Sequence, residues 1–256
     1  MKVRSDVKFP TVIIFDVDGV LVDTRGSFQK TTLETVKFFT GKKVTLAELH
    51  RWKNIPGYND DWKLSTAWVR SLGGNYEYDE VKRKFVELYW GVHQDGNVRR
   101  EKWLLPRTML RRLMKKSELA IFTGRIWKEL DYTLDRNRVR EFFKTIITAE
   151  DVKLGKPDPE GLLKILNDRK GDDTLYVGDN VDDALAARVA GIPFVGVLPR
   201  RGPERRFRAA KLRELGALAI LPDTKSLEGW LLRSRVIRGT KADSGLSSNL
   251  PVSTTS

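Results

Sequence analysis

Short apolar runs recur along this chain, each closed by polar or glycine-containing punctuation: TVIIF at 11–15, LAIFT at 119–123, TIIT at 145–148, TLYVG at 174–178, PFVGVL at 193–198 and LAIL at 218–221. Runs this short, apolar throughout rather than alternating, predict strands buried on both faces. Amphipathic stretches such as DPEGLLKILNDR and DDALAARVAG lie between most of them and predict helices. Strands alternating with helices give an α/β fold, a Rossmann-like parallel sheet with helices on both faces.

Residues 25–100 follow a different pattern. GSFQKTTLETVKFF, TLAELHRWK, WKLSTAWVRSLG and YDEVKRKFVELYWGV carry helical periodicity, with no convincing strand among them. The expected organisation is an α/β core of 1–24 and 101–238 and a helical cap inserted at 25–100. A tail of 239–256, rich in Ser, Thr and Gly, is expected to be disordered.

The first run raises a chemical question. VIIFDVDGVLVDT buries a strand and then crowds Asp16, Asp18 and Asp23 at its end. Unpaired buried carboxylates are expensive, so the acids are expected to emerge at the strand's carboxyl edge, where α/β sheets bind ligands. Like charges held that close call for a cation or a shared proton. Other strand ends supply matching pieces: Thr123-Gly124-Arg125 after the second run, Lys156 in LGKPDP, and Asp179, Asp182 and Asp183 in GDNVDD. Carboxylates, a hydroxyl and an ammonium together suit Mg²⁺ holding a phosphate, because a hard cation wants oxygen ligands. Taken singly, each piece is more often a helix cap, a turn or a loop.

Through FDVDGVL, IFTGR, KPDP and VGDNVDDALAARVAG the chain resembles the haloacid dehalogenase-like phosphohydrolases. The resemblance spans the whole α/β portion. It implies a magnesium-dependent phosphatase in which Asp16 attacks phosphorus and forms an aspartyl-phosphate, while Asp18 serves as general acid and base. It also implies that Thr123 and Gly124 hold the phosphoryl group and that Lys156 offsets its charge. The metal set would be Asp16, Asp179, the backbone carbonyl of Asp18, and Asp183 directly or through water. Asp182 stands where relatives often have Asn.

The long interval between Asp18 and Thr123 resembles the subfamily with a helical cap after the first motif, which includes phosphoglycolate phosphatase. Asp18 argues against a dehalogenase, which lacks the second acid. Phe28 stands where β-phosphoglucomutases usually carry His, which disfavours the alternative of a phosphomutase. In the cap, NIPGYNDDWKLSTAW suggests a loop that reads the leaving group through Asn59 and Trp62, although Asn59 or Asp60 could equally cap the next helix. Arg25 and Arg125 could meet substrate anions or pair at the surface. His50 and His93 read as structural.

Composition narrows the partners. The 256 residues include no cysteine, so disulfide and thiolate chemistry are excluded. No apolar run approaches a membrane span and MKVRSDVKFP has no signal-peptide core, so no membrane contact and a cytoplasmic location are expected. The net charge of +13 gathers partly in PRRGPERRFRAAKLRE, residues 199–214. No stacking aromatics interleave with those arginines, which disfavours a nucleic-acid partner. A small phosphorylated metabolite is the expected ligand. Oligomeric state is left open.

Overall fold

The structure is a computed structural model that describes residues 9–58, 60–167, 171–201 and 205–233. The expected tail of 239–256 lies outside the described residues.

After β1 (Val12–Phe15) and a two-residue β2 (Val22–Asp23) come four helices: α1 (Phe28–Thr40), α2 (Leu46–Lys53), α3 (Asp61–Ser71) and α4 (Tyr78–Trp90). The chain then forms β3 (Lys102–Trp103), α5 (Arg107–Met114), β4 (Glu118–Phe122), α6 (Trp127–Asn137) and β5 (Thr145–Ile147). It continues through α7 (Glu160–Leu166), β6 (Thr174–Gly178), α8 (Val181–Ala190) and β7 (Phe194–Val197). It closes with α9 (Arg205–Glu214), β8 (Ala219–Leu221) and α10 (Ser226–Arg233).

The main sheet has six strands in the order β5-β4-β1-β6-β7-β8, all parallel. Its strands fall on the six apolar runs, and the α/β expectation holds. Side-chain alternation decides which layer each residue joins. Ile13 and Phe15 enter a core with Leu110 of α5, Leu130 of α6 and Leu231 of α10. Val12 and Ile14 enter the opposite core with Leu162 of α7, Ala187 of α8 and Leu212 of α9. Ile13, Ile14 and Phe15 are fully buried, and each such side chain contributes about 1.5–3 kcal/mol.

The order places β1 in the middle. The chain runs outward on one side through β4 and β5, then returns to build β6, β7 and β8 on the other. The strand order therefore reverses between β1 and β6, the position where open α/β sheets bind ligands.

Four helices pack between β2 and β3, which pair antiparallel with Val22 opposite Trp103. They hold their own apolar cluster, built on Val36, Leu49, Leu64 and Trp68. A second cluster, Phe28, Phe85, Tyr89 and Trp90, takes in Tyr132 of α6 and joins the helices to the sheet layer. Thr45 starts α2 with a capping box, its side chain accepting from the Glu48 N–H while the Glu48 carboxylate accepts from the Thr45 N–H.

Candidate active site

Asp16 follows β1 directly, and its N–H donates to the Val177 carbonyl of β6 at 2.9 Å. Its carboxylate is nearly buried beside those of Asp179 and Asp183, with one oxygen from each of the three within 4.8 Å of the others. Lys156 reaches into this group. Its Nζ donates to Asp16 Oδ1 and to Asp183 Oδ1, both at 2.7 Å, and lies 3.1 Å from the Tyr176 hydroxyl. Burial alone would lower the Lys156 ammonium, but Asp16 and Asp183 together raise it above its usual range. It stays charged.

The three carboxylates are not equivalent. Both oxygens of Asp183 are occupied: Oδ1 accepts from Lys156 and Tyr176, and Oδ2 accepts from the backbone N–H groups of Asp179 and Asn180. The backbone just before α8 thus holds one oxygen of Asp183, and Lys156 with Tyr176 holds the other. Asp179 is freer, touched by Arg208 at 3.4 Å, and burial pushes its carboxyl up to about 6 while Arg208 draws it down. Burial likewise pushes Asp16 well above the carboxylate range; Lys156 opposes this and the neighbouring acids reinforce it.

Gly19 makes this closeness possible. It sits at φ +78°, and a Cβ there would lie 2.3 Å from Asp179 Oδ2. Any side chain would collide with the carboxylate. The oxygen-only donor set and the open faces of Asp16 and Asp179 fit a hard divalent cation.

Asp18 lies apart from this cluster and is gripped by Arg125, whose NH2 and Nε donate to its Oδ1 at 2.6 and 3.0 Å. Arg125 is itself 1% exposed, a full charge inside the protein. Glu101 answers it at 2.8 and 3.2 Å, Thr133 accepts at 2.8 Å, and the Phe28 ring lies 4.9 Å from the guanidinium carbon. Buried ionic groups persist only when paired and hydrogen-bonded in this way. Arg125 lines the same pocket as Asp16, yet its guanidinium is taken up by protein acids.

Thr123 is buried at the end of β4, its Oγ1 accepting from the Arg125 N–H at 3.2 Å. Gly124 borders the pocket, and a Cβ there would meet nothing within 4 Å, so this edge of the floor is open. Trp62 lines the opposite wall with Lys82 over its ring at 4.0 Å. Asp60 caps α3, accepting from the N–H groups of Trp62 and Lys63. Asn59 lies outside the described residues. Arg25 pairs with Asp23 at 2.6 Å and reaches no catalytic group in the described contacts.

Asp16, Asp18, Gly124, Arg125, Lys156 and Trp62 line a cavity of about 500 Å³ between the sheet's carboxyl edge and the helices. Three groups that line or brace it have no signal in the motifs. Lys53, from the last turn of α2, faces the floor and is held by Asp61 at 3.0 Å. Tyr176 sits inside a strand whose apolar pattern hides it. Glu129, in the first turn of α6, is buried and pushed up to about 8, with Arg125 opposing that rise.

Glu129 yields a pH prediction. Below about pH 8 it is protonated and neutral; above, it adds a negative charge beside Asp18, where an anionic substrate would bind. Activity in wild type should decline several-fold through that pH, mainly in KM. Glu129→Gln should keep its activity further into base. Identical pH profiles for the two proteins would refute this role.

One cap-like contact crosses the cavity rim. The Gly57 N–H, in the loop before α3, donates to both carboxylate oxygens of Asp182 at 3.3 and 3.2 Å. Asp182 therefore joins the helical segment to the start of α8.

The chain is similar to several known proteins. An imidazoleglycerol-phosphate dehydratase of Phytophthora nicotianae is 31% identical over 196 residues, which cover 73% of this chain but only 43% of that protein. Pyrophosphatase PpaX of Anoxybacillus flavithermus is 28% identical over 192 residues, covering 72% of this chain and 82% of the relative. A solved haloacid dehalogenase-like protein of unknown function from Agrobacterium tumefaciens shares the fold at a TM-score of 0.67 and 20% identity, covering 87% and 97% of the two chains. The family model described as haloacid dehalogenase-like hydrolase matches residues 13–197, and with this match the chain belongs to that family.

Proposed function

We propose that this protein is a magnesium-dependent phosphatase that hydrolyses a small phosphorylated metabolite through an aspartyl-phosphate on Asp16. The observation that carries the reading is the Lys156 ammonium 2.7 Å from Asp16 Oδ1, inside a cluster of three carboxylates at the strand-order reversal. The pyrophosphatase activity named for one relative, also a hydrolysis at phosphorus, supports it.

Asp16, aimed by β1 and flanked by Lys156, attacks phosphorus and displaces the alcohol. Thr123 and the backbone at Gly124 hold the phosphoryl oxygens. Asp18, oriented by Arg125, protonates the leaving oxygen and later takes a proton from the attacking water. The water cleaves the aspartyl-phosphate, releases phosphate and returns Asp16. Mg²⁺ held by Asp16, Asp179 and the Asp18 carbonyl would neutralise charge between nucleophile and phosphoryl oxygens. Asp183, its oxygens already engaged, braces Lys156 and the α8 turn behind that set.

In this reading the helices of 25–100 form a cap over the core of 1–24 and 101–238, and the cavity they close admits the rest of the substrate. Lys53 and Trp62 face that space and read the leaving group. Phe28, buried against Tyr89, offers no acid or base, which favours hydrolysis over a phosphomutase. No described helix is long and apolar enough to cross a membrane, in keeping with a proposed cytoplasmic location.

The test is turnover of a panel of small phosphate esters with magnesium present and then chelated. Activity is expected to vanish on chelation and return with magnesium. Asp179→Asn should raise the magnesium concentration for half-maximal activity at least about tenfold, because one anionic oxygen becomes a neutral amide. Turnover that survives thorough chelation would overturn the metal assignment.

A further inference from the structure

A second cavity of about 350 Å³ borders Gly19 and Asp179 and lies between α2, α9 and the loops that follow β7 and β8. Its walls are aliphatic, formed by Leu46, Leu104, Leu198, Pro199 and Pro222. Its charge is cationic. Arg25, Arg201, Arg205, Arg208 and Lys225 line it, against Asp23, Asp179 and Asp223.

Two of those carboxylates are engaged: Asp23 pairs with Arg25, and Asp223 accepts from the N–H and hydroxyl of Ser226 at the start of α10. Arg208 NH2 donates to the Asp179 backbone carbonyl at 2.9 Å and lies 3.4 Å from its Oδ2. Among the described residues, Arg205 donates through its Nε to the Pro199 carbonyl at 2.8 Å. Arg201 and Lys225 have no acidic partner among the described residues, and both are exposed. Gln29 and His50 of the helical segment line the same cavity.

The volume is that of a small-molecule site, with apolar walls and a few convergent polar groups. Guanidinium groups recognise phosphate oxygens through their paired N–H donors, and the aliphatic walls suit a ring or hydrocarbon body. We propose that this cavity is a second ligand site, separate from the one that holds Asp16, for a small organic phosphate: its anionic head on Arg201, Arg205 and Lys225, its body against Leu46, Leu198 and Pro199. An occupant touches α1 and α2 on one side and the α9 region on the other, next to the Arg208 that holds Asp179. It would tie the helical segment to the sheet.

The experiment is calorimetric titration of the full chain with phenylphosphonate, whose P–C bond resists hydrolysis, so binding is read without turnover. Inorganic phosphate, which has the head without the body, is the comparison probe. Wild type should bind phenylphosphonate more tightly than phosphate. The pair Arg201→Glu and Lys225→Glu, at exposed positions, should lose at least about tenfold in phenylphosphonate affinity. The neutral pair Arg201→Gln and Lys225→Gln should fall between. Rates with p-nitrophenyl phosphate in the absence of phosphonate should match wild type in both pairs. Superimposable phenylphosphonate isotherms for wild type and the Glu pair would overturn the proposal, because binding would then lie at Asp16 or elsewhere. No phenylphosphonate binding at millimolar concentrations would overturn it as well. Neither outcome touches the phosphatase assignment, which turnover alone decides.

Discussion

Asp16→Asn is expected to lower turnover at least about 10³-fold while leaving the protein folded. The amide keeps the shape of the side chain, and its oxygen can still accept from Lys156, now 2.7 Å from Oδ1. What disappears is the anionic nucleophile. The stability sign is also set. Burial and the neighbouring Asp183, Asp18 and Asp179 push the Asp16 carboxyl up, so its ionised form is costly to bury at neutral pH. A neutral isostere removes that cost, and the melting temperature should hold or rise. Asp18→Asn should behave differently, since it keeps the nucleophile and loses the proton carrier. With a good leaving group such as p-nitrophenolate the first step is spared, while the acyl phosphate lacks its base for hydrolysis. Acid-quenched mass spectra should show a phosphoryl adduct accumulating in Asp18→Asn and absent in Asp16→Asn. Phosphate on Thr123 or on a histidine, or an Asp16→Asn protein near wild-type rate, would reject the mechanism.

The main sheet was legible because each of its strands is apolar on both faces. Residues 12–15 need no alternation to be recognised, and the acid that follows them marks the strand's end. The positions of Asp16, Thr123 and Asp179 were legible for the same reason, since each is the first polar residue after a strand. Local pattern could not reach what depends on distant pairing. The pair β2 and β3, two residues each, has no period to detect. Arg125 lies 24 residues from Glu101 and 107 from Asp18, and nothing local says that its charge turns inward to them. Lys53 ends a helix whose amphipathic pattern identifies its packed face but not which end overlooks the floor. Asp60 illustrates a choice the sequence had left open, and the backbone N–H groups of α3 account for it as a cap. Asp182, which had no clear role, meets the Gly57 N–H across the rim.

Lys156→Met should unsettle both stability and catalysis, because one ammonium serves two buried acids. Its Nζ is 2.7 Å from Asp16 and from Asp183, and the three side chains are between 0 and 5% exposed. Methionine fills similar space but leaves those carboxylates without their cation. Breaking a buried pair from one side typically costs about 3–5 kcal/mol, which for a chain of this size corresponds to a melting temperature lower by about 10 °C. Two conditions should restore part of that loss. Added magnesium supplies positive charge to the same carboxylates, so it should raise the variant's melting temperature more than wild type's. Lowering the pH should do so too: burial already pushes the Asp16 carboxyl up, and without the opposing Lys156 it lies still higher, so the folded state binds more protons than the unfolded one as pH falls. The shift from pH 7 to pH 5 should therefore favour the variant relative to wild type. Turnover should stay down about 10³-fold under either condition, because neither returns a fixed positive charge to the phosphoryl side of Asp16. Parallel melting curves with and without magnesium at both pH values, read beside steady-state rates, check each part. A Lys156→Met protein that melts and turns over like wild type would mean that Asp16 and Asp183 do not depend on this lysine, and the charge balance assigned to the site would fail.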